Sequence, residues 1–125
     1  LICPNNKNLL LVKRAFEPGK GLWGFPGGFI ESKETAEAAA IRELKEETNL
    51  NGEVVRIIDT CSHFNTIFGD ILLIGYEIFI KDWSILKAGD DACEAQIFNK
   101  ENMPNLAFRS HKTMLRLYNQ KVQIG

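Results

Sequence analysis

Three glutamates stand close together at positions 43, 46 and 47, near the end of the stretch GFIESKETAEAAAIRELKEETNL. Residues three and four apart are neighbours on a helix, so Glu43 is expected to lie beside Glu46 and Glu47. Like-charged neighbours cost a few tenths of a kcal/mol each, and the negative end of the helix dipole adds up to about 1 kcal/mol more. Divalent cations prefer oxygen ligands, so the cluster suits a metal site. The alternative is a solvated acidic face whose repulsion is partly offset by Arg42 and one lysine.

Charge is unevenly distributed along the chain. The whole sequence has a net charge of −1, but residues 28–50 hold six glutamates against three basic residues, which leaves −3 there and +2 elsewhere. An acidic segment in an otherwise mildly basic chain is suited to binding a cation, which would in turn bind an anionic ligand. The near-zero total argues against a protein that binds duplex nucleic acid by electrostatics alone.

Length and composition predict one globular domain over residues 1–125, with 45% hydrophobic and 25% charged residues. No apolar run reaches the roughly 18 residues of a membrane span, so no membrane association is expected. The three cysteines are widely spaced and lack a C-x-x-C pattern, which disfavours a disulfide framework and a zinc site and favours the reducing cytoplasm. The chain begins at Leu1 without Met, so the sequence is compatible with a missing leader or a shortened first strand.

A helix is expected to position the glutamates. Thr35 is a good N-cap, strong helix formers fill residues 36–47, and the helix should end near Thr48. Asn49 follows as a left-handed cap. The apolar stripe is narrow and mostly alanine, so this helix should pack closely on a sheet.

The remaining pattern predicts a mixed α/β architecture. A PNNK turn should join the first two strands, and Gly69-Asp70 should form a hairpin turn between two long ones. A final helix should place Met114, Tyr118 and Val122 on one face. Strands are expected at residues 1–3, 9–16, 53–68, 71–80 and 94–98, and the last helix at 110–120.

The stretch from Gly28 to Leu50 resembles the Nudix box, G-x5-E-x7-R-E-U-x-E-E-x-G-U, where U is a bulky aliphatic residue. Gly28, Glu34 and the run RELKEETNL match it except at Asn49, where the family has glycine. Asn can also end a helix, so this departure is expected to affect stability rather than chemistry. The flanking segments LWGFPGG, EAQIF and MPNLAF are similar but less specific. The resemblance implies a Nudix-type α/β/α sandwich with a mixed β-sheet.

The resemblance also implies a reaction. Nudix proteins typically hydrolyse a nucleoside diphosphate linked to another group, using Mg²⁺ or Mn²⁺. By resemblance, Glu46 and Glu47 are the principal metal ligands, and Glu43 is a further ligand or the group that orients or deprotonates water. The carbonyl of Gly27 also contacts metal in the family, and Glu94 corresponds to an additional ligand or general base. The predicted function is therefore a metal-dependent pyrophosphohydrolase.

Other charged residues receive supporting roles. Arg42 and Glu34 are expected to form an internal ion pair that holds the loop and helix in register without touching substrate. Asp90 and Asp91 lie close to Glu94 in sequence, but a solvated loop is the preferred interpretation for both.

Four residues are candidates for substrate binding. Arg14 flanks the loop that enters the site and would meet phosphates, although surface arginines are usually solvated. Trp23, Phe25 and Phe64 could stack a nucleobase or pack in the core, and Phe68 is a further ring with the same two options. Phe64 is the leading stacking candidate because its neighbours are polar. His63 and His111 are isolated in the sequence and are assigned no metal.

The substrate stays open at this level. The chain lacks the array that marks NADH-cleaving relatives and the proline beyond the box that marks ADP-ribose-cleaving ones. Nucleoside triphosphates and ADP-ribose-like nucleotide sugars both remain candidates. The competing function, a catalytically idle nucleotide sensor or partner-recruiting module, would normally have lost box glutamates, which are all present here. Dimers are common among relatives, so a homodimer is compatible with the sequence.

Overall fold

The computed structural model describes residues 1–89 and 92–124, with side chains up to residue 122. The elements in chain order are β1 (Pro4–Asn5), β2 (Asn8–Arg14), β3 (Trp23–Gly24), α1 (Ala36–Thr48), β4 (Gly52–Thr66), β5 (Gly69–Ile80), β6 (Ala92–Asn99) and α2 (Arg109–Ile124). The strands expected near residues 9–16 and 94–98 and both helices are confirmed.

Strand β2 is the centre of the first sheet. It pairs antiparallel with β1, β3 and, along its whole length, β6. The second sheet is the long hairpin of β4 and β5. Parallel bridges join Ile2 to Glu77 and Trp23 to Leu106, which makes the arrangement mixed, as expected.

Alternate side chains of β2 point to two separate cores. Leu9 and Leu11 belong to the cluster that contains Met114 of α2. Leu10 belongs to the cluster that contains Leu44 of α1. Since successive residues of a strand face opposite sides of a sheet, the two helices cover opposite faces. The α/β/α sandwich is therefore confirmed.

The ends of α1 match the sequence prediction. The Thr35 hydroxyl accepts a hydrogen bond from the Ala38 N–H at 3.1 Å. At the other end, Asn49 has φ 63° and its N–H donates to the Lys45 carbonyl. Asn tolerates the left-handed conformation, so it fills the place of the family glycine at this end of the helix.

The hairpin turn expected at Gly69-Asp70 is wrong by two residues. Thr66 pairs with Gly69, so the two-residue loop consists of Ile67 and Phe68. The positive φ angles fall beside the loop, at Asn65 (58°) and Gly69 (90°). The Thr66 hydroxyl donates to the Gly69 carbonyl at 2.6 Å and accepts the Phe68 N–H at 3.1 Å. Glycine and asparagine therefore bend the flanking strands rather than occupying the loop.

The strand expected at residues 1–3 is also incorrect in its bounds. Ile2 forms only an isolated bridge to Glu77, and the first strand begins at Pro4. Ile2 exchanges hydrogen bonds with the backbone of β5, while the Cys3 carbonyl accepts from Leu10 of β2. This segment passes from one sheet to the other, so neither ladder continues along it.

Within residues 1–89 and 92–124, neither helix is long and apolar enough to cross a membrane.

Candidate active site at the end of the first helix

The C-terminal end of α1, which carries the glutamate cluster, is held by the loop after β5. The Gly89 N–H donates to the Glu47 carbonyl at 3.0 Å, and the Lys87 N–H donates to the Thr48 carbonyl at 2.9 Å. The Asn49 side chain donates to the Ile85 carbonyl at 3.0 Å. Helix ends leave carbonyl groups without partners inside the helix, and this loop satisfies them.

Glu47 faces the turn before the helix. Its Oε2 accepts the Gly27 N–H at 3.0 Å. Desolvation raises the pKa of Glu47 to about 7, although the Gly27 hydrogen bond acts in the opposite direction. The bare carboxylate is therefore poorly stabilised, and a cation beside it would relieve that cost.

Glu43 packs against the next residue of the same turn. A Cβ added to Gly28 would lie 2.3 Å from the Glu43 carboxyl carbon, so a larger residue there would displace the Glu43 carboxyl group. Desolvation raises the pKa of Glu43 as well, and the hydrogen bond from Arg42 partly opposes the shift. The Gly27-Gly28 turn thus brings backbone and two carboxyl groups together.

Arg42 links the carboxylates to the loop. Its Nε lies 2.7 Å from Glu34 Oε2, and its Nη1 lies 2.9 Å from Glu43 and 3.2 Å from Glu46. Its Nη2 donates to the Phe29 carbonyl at 3.1 Å. The side-chain hydrogen bond from Arg42 lowers the pKa of Glu34 to about 2. The ion pair expected from the sequence is present and ties the loop to the helix.

The chemistry of these donors fits a hard divalent cation. The turn and helix end offer carboxylate oxygens, the ligands that Mg²⁺ prefers alongside water and phosphate. Across residues 1–89 and 92–124, no three acidic, histidine or cysteine side chains already converge on one point. Arg42 supplies the positive charge between Glu43 and Glu46 instead. Mg²⁺ commonly keeps several waters, so a preformed protein cage is not required.

Glu94 lies on β6 rather than on α1. It is opposite Lys13 of β2, with their charged groups 3.7 Å apart, and its side chain is 53% exposed. Among the described residues it forms no hydrogen bond or ion pair with the α1 glutamates. Asp90 and Asp91 lie outside the described residues.

The four substrate-binding candidates have different surroundings. Arg14 donates from Nε to the Pro18 carbonyl at 2.5 Å and lies over the Phe108 ring. Phe25 is buried in the core. The sequence candidates also include Trp23, which packs edge-on against Phe98 with centroids 4.8 Å apart, and Phe64, which is 71% exposed.

The structure places Phe68, a stacking candidate from the sequence, in an aromatic pair that the sequence did not predict. Phe68, at the hairpin tip, contacts Phe29 with ring centroids 5.3 Å apart. Both rings are more than half exposed. Phe29 is the residue directly after Gly28, so the pair lies beside the glutamate cluster. No sequence signal joins positions 29 and 68, because their contact depends on the length of the β4–β5 hairpin.

The chain is similar to known proteins over nearly all of its length. A model of the NUDIX domain matches residues 1–117. The chain is 38% identical over 125 residues to an ADP-ribose pyrophosphatase of Methanocaldococcus jannaschii, covering 94% of this chain and 69% of that protein. It is 36% identical over 64 residues to an 8-oxo-dGTP diphosphatase of Proteus vulgaris, covering 50% of this chain and 57% of that protein.

Solved structures show the same fold. A NUDIX hydrolase from Nitrosomonas europaea superposes with a TM-score of 0.87 at 26% identity, covering 99% of this chain and 69% of that one. The NUDIX domain of Shewanella oneidensis NrtR, complexed with ADP ribose, gives 0.81 at 21% identity, covering 97% and 82%. With the domain match over nearly the whole chain, these similarities agree with the box and its turn. The chain therefore belongs to the NUDIX family.

Proposed function

We propose that this chain hydrolyses the diphosphate linkage of ADP-ribose or a closely similar nucleotide sugar, with Mg²⁺ or Mn²⁺ held by the glutamates of α1. The broader class follows from the family and its relatives: the chain is a Nudix pyrophosphohydrolase. The substrate proposal is supported by the 38% identity to an ADP-ribose pyrophosphatase over 94% of this chain. The similarity to an 8-oxo-dGTP diphosphatase covers only 50% of it.

One sequence feature opposes the substrate proposal. The proline typical of ADP-ribose-cleaving relatives is absent near Asn65. That position lies at the end of β4, beside the Ile67-Phe68 loop. A single position in an exposed hairpin carries less weight than similarity along nearly the whole chain, so ADP-ribose stays the leading substrate.

The observation that carries the proposal is the packing of two carboxyl groups on one turn. Glu47 accepts the Gly27 N–H, and Glu43 lies against Gly28. Desolvation raises the pKa of both carboxyl groups. Acidic groups on a solvated face would not be desolvated in this way, so the arrangement favours a site that receives a cation.

We assign the ligand roles to Glu43, Glu46, Glu47 and Glu94, together with the Gly27 carbonyl. When bound, the cation neutralises charge on the diphosphate and lowers the pKa of a bound water. A water oxygen then attacks one phosphorus, the bridging P–O bond breaks, and a carboxylate accepts the water proton. Glu43, Glu46 and Glu94 each remain candidates for that proton acceptor.

The rest of the substrate would lie along the loop before α1 and along the tip of the β4–β5 hairpin. Arg14 is fixed through Nε and by stacking on Phe108, which leaves its terminal nitrogens as donors to a phosphate. The exposed rings of Phe29, Phe64 and Phe68 offer apolar surface for the base. Trp23 and Phe25 pack against other side chains, so they are better suited to shaping the pocket floor.

The test is a substrate panel containing ADP-ribose, 8-oxo-dGTP and dATP, each with Mg²⁺ or Mn²⁺. We expect AMP and ribose 5-phosphate from ADP-ribose, with a kcat/KM at least about tenfold above the others. Faster hydrolysis of 8-oxo-dGTP would overturn the substrate, and no hydrolysis of any diphosphate would overturn the reaction.

A matched pair of variants tests the residues. Glu46→Gln should lower kcat by about 100-fold or more while the protein stays folded, because it removes a metal ligand. Glu37→Gln changes an exposed glutamate in the first turn of the same helix and should leave kcat unchanged. Equal rates for the two variants at saturating Mg²⁺ would contradict the assignment of Glu46.

The three cysteines are free thiols in the structure. We propose the cytoplasm as the place of action on the sequence pattern alone, since the cysteines are widely spaced and lack a C-x-x-C motif.

A further inference from the structure

His111 lies in the first turn of α2 and contacts the segment that leads into the glutamate cluster. Its Nδ1 accepts a hydrogen bond from the Phe25 N–H at 3.0 Å, although the two residues are 86 positions apart. The imidazole centroid lies 5.7 Å from that of Phe25 and 5.2 Å from that of Phe108. The histidine thus joins α2 to the loop that carries Gly27 and Gly28.

The hydrogen bond from Phe25 to His111 stands where the next bond of a parallel β-ladder would be. The Trp23 N–H donates to the Asn105 carbonyl at 3.4 Å, and the Ala107 N–H donates to the Trp23 carbonyl at 2.7 Å. In a parallel ladder the next donor is the N–H two residues on, which belongs to Phe25. The neighbouring chain enters α2 at Arg109, and the Phe25 N–H donates to the His111 side chain of that helix instead of continuing the ladder. The side chain thus satisfies a backbone donor at the end of the ladder.

A neutral imidazole is well suited to this position. Although His111 keeps a small exposed area, the surrounding protein desolvates the ring and lowers its pKa to about 3. The ring is therefore uncharged at neutral pH and can accept through Nδ1 while Nε2 carries the proton. A carboxylate among the rings of Phe25 and Phe108 would bring a charge into an apolar environment, at a larger desolvation cost.

Three side chains hold the loop of residues 25–29. His111 accepts the first N–H of the loop. Glu47 accepts the Gly27 N–H at 3.0 Å, and Arg42 donates to the carbonyl of the last loop residue at 3.1 Å. The second and third anchors belong to α1 and its charges, whereas the first comes from the helix on the opposite face of the sheet.

Close packing leaves the histidine little freedom. A Cβ added to Gly24 would lie 3.1 Å from both Cε1 and Nδ1 of the imidazole. The glycine before Phe25 therefore lets the ring approach the backbone to hydrogen-bonding distance.

We propose that His111 is a positioning residue for the pyrophosphohydrolase: by holding the Phe25 N–H, it keeps Gly27 and Gly28 against Glu47 and Glu43. Without His111, the Phe25 N–H loses its acceptor. The Gly27 carbonyl then no longer stays at a fixed position relative to the Glu43 and Glu47 carboxylates. The consequence for metal affinity rests on the proposed function. The consequence for the loop does not.

Three variants separate positioning from simple stability. His111→Leu keeps an apolar side chain of moderate size and removes the acceptor. His111→Asn restores an acceptor, because its Oδ1 is bonded to Cγ as Nδ1 is in histidine. Tyr118→Phe is the control on the same helix, since it removes a hydrogen bond to Glu77 two turns away.

Amide hydrogen exchange of the metal-free protein measures how readily the loop of residues 25–29 opens. Calorimetric titration with Mn²⁺ measures the metal affinity of the glutamate site. His111→Leu should accelerate exchange at Phe25 and Gly27 by about tenfold or more and raise the Kd for Mn²⁺ by about tenfold. His111→Asn should return both values to within about threefold of wild type. Tyr118→Phe should leave the Kd for Mn²⁺ at the wild-type level and should accelerate exchange at Phe25 and Gly27 no more than its loss of global stability does.

Unchanged exchange at Gly27 in His111→Leu would overturn the proposal, as would failure of His111→Asn to restore it. If His111→Leu does not fold, His111→Asn still tests the proposal. Its amide exchange and its Kd for Mn²⁺ must both lie within about threefold of the wild-type values. A wild-type protein that binds no Mn²⁺ would contradict the proposed function, whereas the exchange data would still report on His111.

Discussion

Glu47 combines two environments that move its pKa in opposite directions. Desolvation raises the pKa and the Gly27 N–H lowers it, with a result of about 7. A carboxyl group with this pKa is partly protonated near neutral pH and gains more from a nearby cation than an exposed one does. The burial that disfavours the bare carboxylate therefore favours metal uptake.

Stability of the metal-free protein should consequently depend on pH. Between the ordinary glutamate value of 4.5 and about 7, folded Glu47 retains a proton that the unfolded chain has released. Since the folded state then binds more protons, stability should fall by about 1–3 kcal/mol as the pH rises through this window. Glu43 adds to the fall in the same direction. Urea unfolding in EDTA at pH 5 and pH 8 measures the change.

The matched variants for this measurement are Glu47→Gln and Glu37→Gln. The first should remove a large part of the fall in stability, while the second, at an exposed position, should retain it. Identical pH dependence in both variants would show that Glu47 does not hold its proton in the folded protein.

The residues proposed for the site were identified from the sequence, but their contacts were only partly predictable. The spacing of the box indicated Glu43, Glu46 and Glu47, and the Arg42–Glu34 pair followed from charge and spacing. The hydrogen bond from Gly27 to Glu47 required the fold, because it joins a turn to a helix end 20 residues later.

At the scale of elements, residues 87–89 after β5 hold the C-terminal end of α1 in place. Lys87 and Gly89 donate their backbone N–H groups to the last carbonyls of the helix. The carbonyl of Glu46 lies so close that a Cβ on Gly89 would be 2.6 Å from it. The loop therefore fixes the backbone that carries Glu46 and Glu47.

Gly89→Ala should displace this end of the helix. We expect a loss of about 1–3 kcal/mol in stability, since the contact is with backbone that cannot rotate away. The Mg²⁺ concentration for half-maximal activity should rise by about tenfold. Lys87→Ala keeps the backbone N–H and is the control, measured by the same Mg²⁺ titration. A normal Mg²⁺ requirement in Gly89→Ala would show that the loop does not position the glutamates.

Element types followed from local patterns, whereas element bounds depended on contacts. The caps of α1 were predictable because Thr35 and Asn49 have strong conformational preferences. The hairpin turn was misplaced because Gly69 also serves as a flanking residue with positive φ. Sequence alone does not distinguish a glycine inside a two-residue loop from one beside it.

At the scale of the whole molecule, a buried charge joins α2 to the hairpin. Glu77 is 7% exposed, and its two oxygens accept from Arg56 at 2.7 Å and from the Tyr118 hydroxyl at 2.8 Å. A buried carboxylate is costly unless its oxygens are satisfied. Both partners are therefore needed to keep this side of the sandwich stable.

Tyr118→Phe should lower stability by about 1–3 kcal/mol, because Glu77 keeps only Arg56 as a partner. Activity and Mg²⁺ dependence should be unchanged at temperatures where the variant is folded, since Tyr118 lies two turns along α2 from His111, the residue of that helix that contacts the Gly27-Gly28 loop. Chemical denaturation and a Mg²⁺ titration of activity measure the two effects. A raised Mg²⁺ requirement would show that the two faces are coupled more strongly than their contacts indicate.

The central claim is that the glutamates at the end of α1 hold a divalent cation against a bound diphosphate. Calorimetric titration of Mn²⁺ in the presence of a non-hydrolysable methylene analogue of ADP-ribose tests it most directly. We predict uptake by the wild-type protein and a Kd at least about tenfold higher in Glu46→Gln and Glu47→Gln. Absence of uptake by the wild type, or equal uptake by both variants, would contradict the claim.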